Sequence, residues 1–82
     1  MTREKILEVL CRHVLEVLGD LQDVEIHPEQ NLRDLGANSL DRMDILIGAM
    51  DELRLDAPMP ALVDAPTIGD LAELLLAHSV RP

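Results

Sequence analysis

The sequence predicts an all-α protein: a small antiparallel four-helix bundle, with three main helices, one short third helix and a long loop between helices 1 and 2. Three observations predict it. Apolar residues recur at helical spacing in three stretches, no stretch alternates apolar and polar residues as a half-buried strand would, and no proline falls inside the three periodic stretches. A chain of 82 residues can bury one compact core, so residues 1–82 read as a single domain.

The first helix is predicted from about Arg3 to Leu18, where Ile6, Leu7, Leu10, Val14, Val17 and Leu18 share a face, Thr2 can cap the start and Gly19 can stop the end. Residues 20–38 contain Pro28 and mixed polarity, with Leu21, Val24, Ile26, Leu32 and Leu35 available as apolar anchors. The second helix is predicted from Ser39 to about Leu53, because the polar break at Arg54–Asp56 and then Pro58 and Pro60 prevent its continuation. A short turn is expected near Pro60–Val63. Pro66-Thr67 then opens the last helix, in which Thr67 and Asp70 resemble a capping box, Ile68, Leu71, Leu74 and Leu75 form the apolar face, and fraying is expected near His78.

Composition narrows the function. With 48 % hydrophobic residues and no Phe, Tyr or Trp, the interior must be filled by leucine, isoleucine, valine and methionine. Sixteen acidic against seven basic residues give a net charge of -9, which opposes binding to nucleic acid or to an anionic membrane and favours basic protein partners. Glu8, Arg12, His13 and Glu16 interrupt the apolar N-terminal residues, so neither a signal peptide nor a membrane span is expected, and the reading is a soluble, cytoplasmic monomer. Cys11 alone cannot form an intrachain disulfide and shares a helical face with Leu7, Val14 and Leu18, as a buried small hydrophobe would. His13, His27 and His78 are scattered over different segments, with no spacing that argues for a general base or a metal site. No metal is expected, and the histidines read as surface or helix-end residues.

The most informative stretch is Leu35-Gly36-Ala37-Asn38-Ser39-Leu40-Asp41-Arg42-Met43-Asp44, which puts one serine after a glycine turn and at the start of an acidic helix. First-turn amides lack intrahelical partners and the helix dipole favours an anion there, so a phosphodiester on Ser39 would be well placed. Gly36 can take the positive φ that ends a loop abruptly, and Leu35 is expected to anchor the turn. Ser39 or Asn38 could equally be only a helix cap.

Over residues 32–50 this stretch resembles the modification site of acyl carrier proteins, where a serine followed by leucine and preceded by Leu-Gly receives a phosphopantetheine arm. The resemblance implies that Ser39 is the attachment point of 4'-phosphopantetheine, joined from coenzyme A by a separate magnesium-dependent phosphopantetheinyl transferase. It implies an acyl thioester on the arm, no catalysis by the chain itself, and a long ordered connection between the first two helices, a length that would otherwise count against the assignment. Two departures stand out: Asn38 replaces the usual aspartate before the serine, and Arg42 adds a positive charge to the first turn. The run Gly-Ala-Asn-Ser-Leu-Asp-Arg-Met-Asp also resembles discrete donor carriers of polyketide β-branching cassettes, which present acetyl to an enzyme resembling hydroxymethylglutaryl-CoA synthase. A fatty-acid or other type II carrier is the alternative.

The second helix carries two apolar stripes where a core-facing helix needs one. Ile45, Leu46, Ala49 and Leu53 are assigned to the core; Leu40, Met43, Ile47 and Met50, beside Asp41, Asp44, Asp51 and Glu52, are assigned to a docking strip. By position within the family pattern, Leu40, Asp41, Arg42, Met43, Asp44, Ile47, Met50 and Asp51 are the residues that the transferase and acyl-handling partners (an acyltransferase, ketosynthase or HMG-CoA-synthase-like enzyme) would read. Alternatively, Met43, Ile47 and Met50 pack under the long loop or the short helix. Two rivals come from other classes. In a calcium-binding loop counted from Asp34, position six is Ser39 where glycine is required and position twelve is Ile45 where a bidentate glutamate is required, so the register fails. A helical adaptor without a cofactor would show the same strip and no serine chemistry.

Overall fold

A computed structural model describes residues 2–19 and 25–79. Within them lie four helices and no strand: α1 (Arg3–Val17), α2 (Ser39–Leu53), α3 (Met59–Val63) and α4 (Ile68–Ser79). The helix starts follow the predicted chemistry. Thr2 Oγ1 accepts from the Lys5 amide at 3.2 Å, and Thr67 Oγ1 accepts from the Asp70 amide at 3.1 Å. The capping box predicted at Thr67 forms only in its first half, because the Thr67 hydroxyl itself donates to the Asp70 carboxylate at 2.9 Å. The short helix begins at Met59, one residue early, with Pro60 in its first turn, where a missing N–H costs nothing. α4 continues one residue past His78.

Helix α1 lies against α2 and α4, and α3 lies against α2. The core comprises Ile6, Val9, Leu10 and Val14 of α1, Ile45, Leu46, Ala49 and Leu53 of α2, Leu62 of α3, and Ile68, Leu71, Ala72 and Leu75 of α4. The chain connecting α1 to α2 adds Leu32 and Ala37. The predicted α1 face needs one adjustment: Val9 is fully buried, while Leu7, Val17 and Leu18 are half-buried at its margin. Of the loop anchors, Ile26 and Leu35 pack against the core; Leu21 and Val24 lie outside the described residues.

Two chain reversals frame α2, and both use the same hydrogen-bond pattern. Residues 32–36 turn helically and stop when Gly36 adopts φ 101°, with the Gly36 amide donating to Arg33 O (3.0 Å) and the Ala37 amide to Leu32 O (3.0 Å). Buried Leu32 and Ala37 supply the apolar contact that completes such a stop. At the far end Arg54 adopts φ 57°, its amide donating to Asp51 O and the Leu55 amide to Met50 O. Only glycine enters this region without Cβ strain. Gly36→Ala is therefore expected to lose about 1 kcal/mol and Arg54→Gly to gain a fraction of that, measured by urea unfolding.

The long connection is sewn to the start of α4. The Ile68 and Gly69 amides, which would otherwise lack partners, donate to Gln30 O (2.9 Å) and Pro28 O (2.7 Å). Among the described residues no helix is long and apolar enough to cross a membrane.

Candidate functional site

At the start of α2, Asn38 is the cap. Its side chain accepts from the Asp41 amide at 2.8 Å, while Asp41 Oδ2 accepts from the Asn38 amide at 3.2 Å. The capping role, open in sequence to Asn38 or Ser39, falls to Asn38, and Ser39 is left as the exposed first helical residue. Asp41 is correspondingly half-buried and partly committed to the cap. Among the described residues nothing accepts from the Ser39 and Leu40 amides, whereas loop carbonyls cover the equivalent amides of α4. The N-terminus of α2 thus keeps open donors and the positive end of its dipole beside one exposed hydroxyl.

Ser39 Oγ accepts a long hydrogen bond, 3.4 Å, from Arg42 Nη2. Arg42 differs from the outward-pointing residue predicted. It is half-buried and its Nε is buried without a partner. Helical spacing explains why: Arg42 lies three and four residues before Ile45 and Leu46, on the face that buries. Ser39, Arg33, Arg42, Met43, Val63 and Asp64 line an open recess of about 290 Å³. Behind it, bounded in part by the same Arg33, Arg42, Val63 and Asp64, lies a cavity of about 190 Å³ that reaches Leu46, Leu62, Thr67 and Leu71.

Most of the residues expected to form an outer apolar stripe on α2 are exposed. Leu40 is 72 %, Ile47 50 % and Met43 39 % exposed, and Asp44 and Asp51 are exposed with them. Met50, expected in that stripe, is instead half-buried and packed on the core, since it lies four residues after Leu46 and one after Ala49. Glu52 leaves the acidic flank as well. It accepts from both terminal guanidinium nitrogens of Arg12, Nη1 and Nη2, and its Oε1 lies 3.0 Å from His13 Nε2. Val63 of α3, 38 % exposed and lining the recess with Met43, is an apolar residue that the sequence reading missed. Only the placement of α3 against α2 reveals it.

His13 is also not the plain surface residue predicted. Its side chain is 16 % exposed and sits where α1 crosses α2 at Gly48; a Cβ on Gly48 would lie 2.7 Å from His13 Nδ1. A histidine in α1 facing a glycine in α2 is the sequence signal, legible only once the two helices are paired. The Arg12 hydrogen bond, aided by His13, pulls the Glu52 carboxyl down to about 2 from its ordinary 4.5. Because the folded value is the lower one, the pair stabilises fully above the ordinary value and that contribution is lost as pH falls towards 2. Glu52→Gln should therefore flatten the fall in melting temperature between about pH 5 and pH 2, as thermal scans at each pH will show. Burial pushes the thiol of half-buried Cys11 up, as suits a packing residue.

Comparison with known proteins adds to this geometry. A family model described as the phosphopantetheine attachment site matches residues 8–75. The polyketide biosynthesis acyl-carrier-protein AcpK of Bacillus subtilis (strain 168) is 39 % identical over 75 residues, 92 % of this chain and 92 % of that protein. The acyl carrier protein of Prochlorococcus marinus (strain MIT 9515) is 30 % identical over 78 residues, 94 % of this chain and 96 % of its own. Among solved structures, a chain of the curacin biosynthetic pathway HMG synthase in complex with acetyl donor-ACP matches with a TM-score of 0.87 at 32 % identity, over 94 % of this chain and 99 % of that one. The chain belongs to the phosphopantetheine attachment-site family and is an acyl carrier protein. Its prosthetic group is a covalently attached 4'-phosphopantetheine.

Proposed function

We propose that residues 1–82 form one carrier domain of polyketide biosynthesis, that the Ser39 hydroxyl is the attachment point, and that the chain donates acetyl to an HMG-synthase-like partner. The observation that carries the attachment is Ser39 itself: an exposed hydroxyl beside open first-turn amides and a guanidinium with an unsatisfied Nε. Those groups suit a phosphodiester anion. The bound group supplies a thiol that holds an acyl unit as a thioester; the chain supplies the anchor, its electrostatic setting and the surface that partners read, and performs no catalysis. A phosphopantetheinyl transferase and the acyl-handling partner approach the same face, with Leu40, Met43 and Ile47 giving contact area and Asp44 and Asp51 giving orientation.

The acetyl-donor role is supported by the likeness to the chain found in complex with an HMG synthase and by the polyketide relative. Acetyl loaded on the arm should pass to a β-branching synthase of this kind at least about tenfold faster than the same acetyl on a fatty-acid carrier, equivalent to about 1.4 kcal/mol of docking preference. Quenched-flow with labelled acetyl measures the ratio, and equal rates would return the chain to the general type II carriers.

A further inference from the structure

The chain has nine more negative than positive charges at neutral pH, so its arginines should readily find carboxylates. Two of them do: Arg3 pairs with Glu73 and Arg12 with Glu52. Among the described residues Arg33, Arg42 and Arg54 have no carboxylate within salt-bridge distance, and of these Arg33 and Arg42 share one recess, which Asp64 also lines. That recess is the one at Ser39, so Arg33 and Arg42 face the serine together. Arg42 is the more constrained, with Nη2 3.4 Å from the serine oxygen and Nε withdrawn from solvent and unpartnered. A buried N–H donor without an acceptor destabilises the free form, and it is relieved by an anion placed within reach.

We infer that Arg42, assisted by Arg33, is a phosphate clamp that holds the first, phosphodiester end of the arm against the recess. The inference rests on attachment at Ser39. A phosphate bonded to Oγ brings its non-bridging oxygens within reach of the guanidinium that already approaches that oxygen, and the planar fork of arginine can offer Nε and Nη2 together. The residue acts as a positioning group: it sets the direction in which the arm leaves the protein, towards Met43 and Val63, and touches no acyl carbon. Asp64, which also lines the recess, keeps it from being a general anion trap, so free phosphate should bind far more weakly than a phosphate tethered at Ser39.

The test uses the whole chain, isotope-labelled at nitrogen, before and after loading from coenzyme A, with intact mass reporting whether the arm is on. The Arg42 Nε–H resonance is assigned by its loss in Arg42→Lys. Loading should move it downfield and slow its exchange with water by about tenfold or more. An unmoved resonance in a sample whose mass includes the arm would remove the clamp and leave the attachment standing, whereas a wild type that never gains mass removes the attachment and the clamp together. As a second readout, loading should raise the melting temperature of the wild type more than that of fully loaded Arg42→Gln. Equal rises would count against the clamp.

Discussion

Incubated with coenzyme A, magnesium and a promiscuous phosphopantetheinyl transferase, the wild-type chain is expected to gain one phosphopantetheinyl arm and Ser39→Ala none. Intact mass measures the difference, which is all or nothing because in the proposed attachment the hydroxyl is the group esterified. The substitution should leave the fold unchanged. Ser39 is exposed, its hydroxyl has only the long bond from Arg42, and the helix is capped by Asn38. Asn38→Ala is the instructive contrast: it should cost about 1 kcal/mol of stability through loss of the cap, yet still accept the arm. A wild type that stays unmodified, or a Ser39→Ala variant that still gains mass, would move the attachment elsewhere.

Two adjacent residues of α2 should give opposite phenotypes. Leu46 is fully buried, so Leu46→Ala should destabilise the chain by about 2–5 kcal/mol, the loss of its transfer free energy plus a cavity. That is a large part of the stability of so small a domain. Ile47, next in sequence, is half-exposed, and Ile47→Glu should change stability by less than about 0.5 kcal/mol. Its effect should appear instead in acyl transfer to a partner, lowered by about tenfold as an apolar contact is replaced by a charge that must be desolvated. Urea unfolding and transfer kinetics on the same samples separate the two. If Ile47→Glu unfolds the protein, the outer stripe belongs to the interior and the docking surface lies elsewhere.

The helices were legible because their apolar periodicity is strong and their stops are chemical: proline after α2 and glycine at the turn before it. The serine was legible for the same reason, since Gly36, Asn38 and Asp41 are local signals within a few residues of it. What the sequence did not reveal depends on contacts between distant segments. Glu52 reads as one more acid on an acidic face until α1 brings Arg12 and His13 beside it. Met50 belongs equally well to either stripe by angle, and the packing of the bundle decides for the core. Arg42 reads as a surface charge because a charge is rarely buried, although its register with Ile45 and Leu46 points inward. Val63 is one residue of a five-residue helix, too short to show a face of its own.

The locked reversal at Gly36 and the reciprocal cap between Asn38 and Asp41 have one further consequence. Together they hold Ser39 at one fixed place on the bundle, so with the arm attached there as proposed every visiting enzyme would meet the tether at the same spot. Customers would then be told apart by the surface around that spot, by Leu40 beside it and by Met43, Asp44, Ile47 and Asp51 about one to three turns further along α2. On that reading a change of clientele would call for edits to this surface and would leave the proposed anchorage untouched.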